Sequence, residues 1–391
     1  MSSVNNFMTR FLKHNTFYIL LYVDFNQELN QEIIVKMVTQ FIIDNPIYKE
    51  DNMGCFTNID GFIQNHVLIK YVDKHKFNNY IGIINNQTLS NSFFLLCCID
   101  NKNKRSRMYF RFNHAYTDGY NLIKITCKSF INTNYVTPKF TRHTNLLNTV
   151  YYYTIGTIML FVVYLKIWIL CLFNIFTKPQ EPSITDYIIC KPFNLNKIKT
   201  FCKNNHIHIN DFLYSVMVKT DKLYTNKPRN ILIGSPFNIT KTAYTNNMLA
   251  IVSYINNSLD NNRLLRKVHS LFNNFKYSLF IPILSCMLYI TEWIPIHSLS
   301  YFCNSYRSKL DYIYTNMIGP SFTEINNNSE NLIIQNINFL CSATFNAILY
   351  NIISSDTDIN IICSFKKGII NKKRFKKCMY KAYKSLIKTT S

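Results

Sequence analysis

The chain has 391 residues, of which 48% are hydrophobic and 15% aromatic, a composition that excludes an intrinsically disordered protein and predicts two or three folded domains. Lys and Arg number 43 against 21 Asp and Glu, so the formal net charge is +22. This surplus favours an anionic partner, which could be nucleic acid, a lipid surface or a phosphorylated cofactor, and it does not choose among them.

The predicted elements of the first third of the chain are a helix and two strands. Residues 33–43 have the apolar spacing of an amphipathic helix, and residues 92–99 and 108–112 read as strands. In the second strand the even-numbered residues face one side, and Tyr109 and Arg111 face the other. Because helix and strand patterns are mixed, we predict an α/β fold.

The middle of the chain is almost wholly apolar over residues 150–176, which are interrupted by Lys166. The length suffices to cross a bilayer of about 30 Å, but a lysine near the centre would cost about 2.5–3.5 kcal/mol. A helix lying in the membrane interface, a crossing helix and a buried linking helix therefore all stay open. The prolines within residues 178–182 end the segment.

This segment divides the chain into three predicted parts. Residues 1–145 form an N-terminal half, residues 146–182 a hydrophobic linker or membrane-associated helix, and residues 183–391 a C-terminal half. We find no internal repeat of 20–50 residues within this arrangement.

The last part is also predicted to be mixed α/β. Residues 211–224 read as a helix and residues 230–234 and 248–255 as strands. Residues 277–290 are apolar and could form a core helix or a second interfacial helix. Residues 372–387 place apolar side chains on one helical face and lysines on the other, which fits an ordinary surface helix or one bound to anionic lipid.

The cysteines and histidines give no strong metal signal. The 12 cysteines are scattered and contain no CxxC. Cys202 with His206 and His208 comes nearest to a ligand set, but this spacing is more typical of a structural strand or loop, so we predict no metal. The N-terminus lacks the apolar core and cleavage site of a signal peptide, which predicts an intracellular protein, not secreted, with free thiols.

The most informative segment begins where the second predicted strand ends. His114 follows the strand, three residues intervene, and Asp118-Gly119 precede an apolar helical pattern. A histidine at a strand end can project into a cleft and accept a proton, and an aspartate four residues later can support its loop or its tautomer. Gly119 would permit a tight turn with positive φ. A plain loop histidine with a turn-forming Asp-Gly is the alternative.

This HxxxDG pattern between strand and helix resembles the active-site motif of the CoA-dependent acyltransferases. Further segments, in the same order along the chain, are similar to motifs of the wax ester synthase/acyl-CoA:diacylglycerol acyltransferase family. They are Asn45-Pro46-Ile47-Tyr48 ("HPxxR"), Phe62-Ile63-Gln64-Asn65-His66-Val67 (the strand "ldxHV"), Ile209-Asn210-Asp211 ("vND"), Ser235-Pro236-Phe237-Asn238 ("PVxLR"), Asn247-Met248 ("GN") and Thr315-Asn316-Met317-Ile318-Gly319-Pro320 ("SNVPGP").

The resemblance implies two chloramphenicol-acetyltransferase-like α/β domains with an active-site channel between them. His114 would act as general base, with Asp118 as structural support and Gly119 completing the motif. Asn113, Asn210, Asn316 and backbone amides near Gly319 are the candidates for holding substrate or the tetrahedral oxyanion.

The implied co-substrate is acyl-CoA, with no permanently bound cofactor. The implied acceptor is a long-chain alcohol or a diacylglycerol, taken up at an endoplasmic reticulum-like membrane or at a lipid-droplet surface. The implied protein is a monomer or homodimer that binds no nucleic acid. Asn113 stands where the family has a first histidine, which puts the positioning of the acceptor in question. An acyltransferase for a small or polyketide-like alcohol, or a catalytically weak membrane-associated scaffold, is the alternative.

Overall fold

Strands and helices alternate along most of the chain. The computed structural model describes residues 18–45, 50–51, 54–55, 59–86, 93–114, 119–131, 146–172, 184–238, 248–280, 282–284, 308–321, 333–342 and 346–389. The longer strands are β1 (Tyr18–Phe25), β2 (Val67–Tyr71), β3 (Phe93–Asp100), β4 (Arg105–Asn113), β5 (Thr185–Ile189), β6 (Asn230–Asn238), β7 (Met248–Asn256), β8 (Tyr312–Ile318), β9 (Ile334–Cys341), β10 (Ile348–Ser354) and β11 (Asp358–Lys366). The helices are α1 (Gln31–Asp44), α2 (Ile59–His66), α3 (Phe77–Asn86), α4 (Gly119–Ile131), α5 (Leu146–Tyr151), α6 (Thr157–Leu172), α7 (Leu195–Asn204), α8 (Ile209–Thr225), α9 (Asn261–Tyr277) and α10 (Lys372–Ile387).

Five of these strands form a first sheet in the order β9-β1-β4-β3-β2. Strand β1 pairs antiparallel with both β9 and β4, and its apolar sequence YILLYVDF is buried on both faces, as expected of a central strand. Strand β2 joins the edge in parallel with β3. Strand β9 comes from the last fifth of the chain, so a distant segment completes the sheet that carries β4.

The second sheet has the order β7-β6-β8-β10-β11-β5, with a short strand, Phe193–Asn194, also on β11. Strand β8 pairs in parallel with β10 along its whole length, from Tyr312 to Ile318. On its other side it pairs with β6 only at Tyr312 and Ile313, opposite Ile233 and Gly234. Because both strands continue beyond these pairs, β6 and β8 diverge, and no strand of the described residues pairs with residues 314–318 on that side.

Apolar residues fill the space on both sides of each sheet. One core packs α1 and α4 against the first sheet and reaches Met317 of β8. A second packs α7, α8 and α10 against the other sheet, and a smaller one lies between Tyr109 of β4 and Ile362 of β11. The alternation predicted for residues 108–112 is confirmed, and Tyr109 and Arg111 are also buried, because both faces of this sheet are covered.

The predicted helices and strands are confirmed with ends that differ by a few residues. One exception lies in the segment compared with a strand motif, residues 62–67, which is helical as far as His66. The Nδ1 atom of His66 lies 2.9 Å from the carbonyl oxygen of Phe62, and the two rings stack at 4.1 Å between centroids. These contacts between residues four apart stabilise a helical turn, so the strand prediction was wrong there.

The apolar middle segment forms α5, one π-helical turn (Tyr152–Gly156) and α6. No helix among the described residues combines the length and apolarity needed to cross a membrane. The basic helix α10 has its apolar face, including Phe375 and Met379, buried against α8 and the second sheet. It is therefore an ordinary surface helix, because no apolar face is left for lipid. Residues 285–290 of the second apolar segment lie outside the described part of the chain, and the division at residues 145 and 183 stays a prediction.

Candidate active site

The predicted base, His114, lies directly after the last residue of β4. Asn113 is paired with Tyr18 of β1, and Phe112 with Phe93 of β3, so neighbouring strands fix the end of β4 on both sides. Asn113 and His114 are both half-buried. Residues 115–118 lie outside the described part of the chain, and the supporting role of Asp118 therefore stays a prediction.

Gly119 packs against strand β8 of the second sheet. It is the first residue of α4, and a Cβ atom added there would lie 2.4 Å from Sδ of Met317, the buried methionine of β8. The φ of Gly119 depends on residue 118, which lies outside the described part of the chain, so the positive φ stays a prediction. The structure shows instead that a glycine at this position permits close approach between α4 and β8.

On β8, the residue before Met317 contacts another predicted site residue. Asn316 donates from Nδ2 to Oδ1 of Asn210 at 3.1 Å, and the Tyr314 hydroxyl donates to the same oxygen at 2.9 Å. Asn210 is the second residue of α8, and the helix start is fixed because Asp211 Oδ2 accepts from the backbone N–H of His208 at 2.9 Å. Two of the predicted residues, Asn210 and Asn316, are thus brought together across 106 positions of sequence.

Among the described residues, the Nδ2 donor of Asn210 has no hydrogen-bond acceptor. The two bonds to the Asn210 side chain both occupy its Oδ1. Burial and then the nearby Asp211 carboxylate raise the pKa of Tyr314 well above its usual value, so its hydroxyl stays protonated and keeps holding Oδ1. A carboxamide N–H held in this way is suited to stabilise a developing negative charge.

Consecutive residues of β8 face the two opposite sides of the second sheet. Met317 packs in the core of α1 and α4, whereas Tyr314 packs in the core of α8, so alternate residues of β8 point to opposite faces of the sheet. Among the described residues, no strand pairs with this side of β8 within residues 314–318. Gly119 therefore packs on the face of β8 that Met317 occupies, and Asn210 contacts the opposite face through Tyr314 and Asn316.

Gly319 follows β8 and has a structural role. Its N–H donates to the carbonyl oxygen of Ser354 at 2.8 Å, and an added Cβ would lie 2.3 Å from that oxygen. The Gly319 amide is thus engaged within the fold. Asn210 is then the stronger candidate for an oxyanion donor.

A substitution at Gly319 is expected to destabilise the protein by about 1–3 kcal/mol. In Gly319→Ala the new methyl group would collide with a carbonyl fixed at the end of β10, which cannot move without breaking its hydrogen bond. Gly119→Ala is the matched control, with a smaller loss expected, because the colliding Met317 thioether is flexible. Equilibrium urea unfolding measures both, and equal losses would contradict this account.

A second histidine–carboxylate pair, which no sequence motif indicated, lies beside Asn210. His269 of α9 places Nδ1 2.7 Å from Oδ2 of Asp211, and its Nε2 lies 3.0 Å from Nδ2 of Asn273. Asp211 is 1% exposed, and the His269 side chain is 30% exposed. Because 58 residues separate the partners, only the tertiary fold reveals the pair.

The weak metal signal at Cys202, His206 and His208 does not correspond to a cluster. Cys202 lies inside α7 rather than in the predicted strand or loop, and the two histidines lie between α7 and α8. Burial, followed by the Asp211 charge, raises the pKa of the Cys202 thiol to about 12, which disfavours the thiolate that a metal would need. Within the described residues no group of three metal-binding side chains occurs.

A cavity of about 200 Å³ lies between the sheets, away from these groups. Its lining includes Tyr22 and Arg107 of the first sheet and Asn360 of the second, but none of the predicted site residues. Arg107 is already paired with Asp24, with the Nε and Oδ1 atoms 2.5 Å apart. The predicted channel to His114 is thus not this cavity, and it stays a prediction.

No protein-family model matches the sequence. A search of curated proteins also finds no match. Solved structures, in contrast, match nearly the whole chain. The trichothecene 15-O-acetyltransferase from Fusarium sporotrichioides has a TM-score of 0.67 at 10% identity, covering 99% of this chain and 93% of its own.

Two other solved structures also match nearly the whole chain. The wax ester synthase/diacylglycerol acyltransferase from Marinobacter aquaeolei VT8 has a TM-score of 0.57 at 8% identity, covering 94% of this chain and 93% of its own. The first condensation domain of the calcium-dependent antibiotic synthetase has a TM-score of 0.60 at 7% identity, covering 99% and 95%. The fold is that of the CoA-dependent acyltransferases and condensation domains. The predicted two-domain α/β class is confirmed, and identities this low show the fold alone.

Proposed function

We propose that this protein is an acyl-CoA-dependent O-acyltransferase that forms wax esters, triacylglycerol or both, with His114 as general base. The observation that carries the proposal is that Gly119, the last residue of the HxxxDG pattern, packs against Met317 of β8, next to Asn316, which is bonded to Asn210. Acyl transfer requires a general base and an oxyanion donor, and we assign these roles to His114 and Asn210.

In the proposed reaction His114 removes the proton of the acceptor hydroxyl as its oxygen attacks the thioester carbonyl. The tetrahedral intermediate carries its negative charge on the former carbonyl oxygen, which would accept a hydrogen bond from Nδ2 of Asn210. Collapse breaks the carbon–sulfur bond, and the protonated His114 returns its proton to the CoA thiolate. A positioned base contributes about 10²–10⁴-fold, and bringing the two substrates together contributes as much or more.

A second candidate is transfer of a short acyl group to a compact alcohol. The observation in its favour is the match to trichothecene 15-O-acetyltransferase, which has the higher TM-score of the two acyltransferase matches, 0.67 against 0.57. The net charge of +22 suits the phosphates of CoA in either reaction.

The purified protein, incubated with labelled palmitoyl-CoA or acetyl-CoA and a panel of acceptors, is expected to form a labelled ester with palmitoyl-CoA and hexadecanol or a diacylglycerol. Thin-layer separation of the lipid products measures it. Preference for acetyl-CoA and a compact alcohol would contradict the first proposal and support the second candidate function. Absence of turnover with every donor and acceptor would leave a non-catalytic scaffold as the better account.

A further inference from the structure

The helix formed by α5, the π-helical turn and α6 has an apolar outer face. Between residues 147 and 169, eleven large apolar side chains of the described residues are 40–80% exposed, with Leu147, Ile158 and Leu165 the most exposed. Side chains of this size expose about 150–250 Å² when free, so the face presents on the order of 1,000 Å². Soluble monomers rarely expose more than a few hundred Å² of contiguous apolar surface, and larger patches mark interaction sites.

Contacts on the opposite side of this helix fix its orientation, so that the apolar face points outward. Leu160 is buried, the Thr157 hydroxyl accepts from the backbone N–H of Leu279 at 3.0 Å, and the Tyr164 hydroxyl accepts from that of Val252 at 3.0 Å. Gly156 lies against Asn274 of α9, where an added Cβ would be 3.3 Å from Oδ1. The helix therefore cannot roll to bury its outer face without breaking these contacts.

The helix also carries little charge. Residues 146–165 contain no Asp, Glu, Lys or Arg, and Lys166 is the one charged residue between positions 146 and 172, although an exposed helix of a soluble protein normally carries charged side chains on its solvent face. A protein partner would usually be met by a polar rim with about one hydrogen bond per 100–200 Å². The exposed polar group of Thr154 instead bonds to its own helix, at the carbonyl oxygen of Val150.

Basic residues on the neighbouring helix indicate that this face would bind lipids with anionic headgroups. The neighbouring helix α9, which contacts both the π-helical turn and α6, exposes Arg266 and Lys267 and carries Lys276 at its end, while its Arg263 is paired with Asp260. No acidic residue occurs within residues 261–277. Basic side chains flanking an apolar face are attracted to anionic headgroups, while Tyr151 and Tyr153 suit the boundary between headgroups and acyl chains.

We propose that this outer face binds the surface of an anionic bilayer, with the helix lying in the plane of the membrane. Tyr164 connects the helix to β7, and α9 connects it to α8, where Asn210 lies. Binding in this orientation would hold the second sheet close to the lipid. The proposal concerns binding alone and does not depend on the proposed activity.

Vesicle flotation of the full chain tests it, with vesicles of phosphatidylcholine alone or mixed with phosphatidylserine. We expect binding to the mixed vesicles and weaker binding to phosphatidylcholine alone. The double variant Ile158→Glu/Leu165→Glu is expected to bind at least about tenfold more weakly, because two inserted side chains would carry charge. The matched control Ile83→Glu changes a side chain that is 52% exposed on α3 and should bind like the wild type.

Three outcomes would overturn the proposal. They are no vesicle binding by the wild type, binding that the double variant retains, and a wild-type oligomer that the double variant dissociates, since a second copy would then cover the face. Both variants should keep the wild-type unfolding midpoint, because the changed side chains are exposed. Turnover of detergent-dispersed substrates is measured in parallel, so that loss of binding is distinguished from loss of activity.

Discussion

Replacing His114 with alanine is expected to lower kcat for acyl transfer about 10²–10⁴-fold, while the protein keeps its fold. Without the imidazole, no positioned group removes the acceptor proton as its oxygen attacks the thioester. The side chain is half-buried in a turn, so its loss removes little packing. The increase of kcat/KM with pH that accompanies deprotonation of the base should also be lost in the variant, which a purely structural role would not produce.

The matched control is His75→Ala, in an exposed short helical turn, Lys74–Lys76, which should leave turnover unchanged. His269 is the alternative candidate for the general base, because its Nδ1 contacts Asp211, the residue next to Asn210. If turnover survives in His114→Ala and is lost in His269→Ala, the base has been assigned to the wrong histidine. If both variants are inactive but only His269→Ala unfolds more easily, His269 positions α8 and His114 remains the base.

The part of the fold that the sequence predicted is the part encoded by local periodicity. Residues 211–224 show an apolar spacing that only a helix satisfies, and the alternation along residues 108–112 specifies a strand. Periodicity does not specify a partner, so nothing in residues 334–341 indicated that β9 would pair with β1, more than 300 positions away. Phe62 and His66 were misassigned because a short apolar run fits both a strand and a helical turn.

The candidate site shows the same limit. His114 and Gly119 lie five positions apart in a recognisable pattern, and Asn210 and Asn316 were singled out by resemblance to motifs. The contacts that organise them join residues far apart in sequence: Tyr314 reaches Asn210 across 104 positions, and His269 reaches Asp211 across 58. Such pairs carry no local signal. The sequence also could not show why position 119 is glycine, because the residue that it packs against, Met317, lies on β8, far away in the chain.

Replacing Arg229 with alanine is expected to destabilise the protein by about 3–5 kcal/mol, because it would leave the carboxylate of Asp221 buried without a counter-charge. Asp221 is completely buried in α8, and Arg229 contacts it through Nη2 at 2.6 Å and Nε at 3.2 Å. Burial acts to lower the pKa of Arg229, but its bonds to Asp221 and Asp311 outweigh this effect and raise it, so the guanidinium stays charged. Equilibrium unfolding in urea measures the loss.

The control is Arg263→Ala, which removes an exposed pair with Asp260 and should cost at most about 0.5 kcal/mol. Adding Asp221→Asn to Arg229→Ala should restore at least about 1 kcal/mol, because the neutral amide no longer needs a counter-charge. Equal losses in the two arginine variants would show that Asn257 and Tyr312, which also donate to Asp221 at 2.6 Å, suffice to stabilise the carboxylate. Since Tyr312 begins β8, the Arg229 network fixes α8 against the strand that carries Asn316, and its loss should also impair the alignment of Asn210.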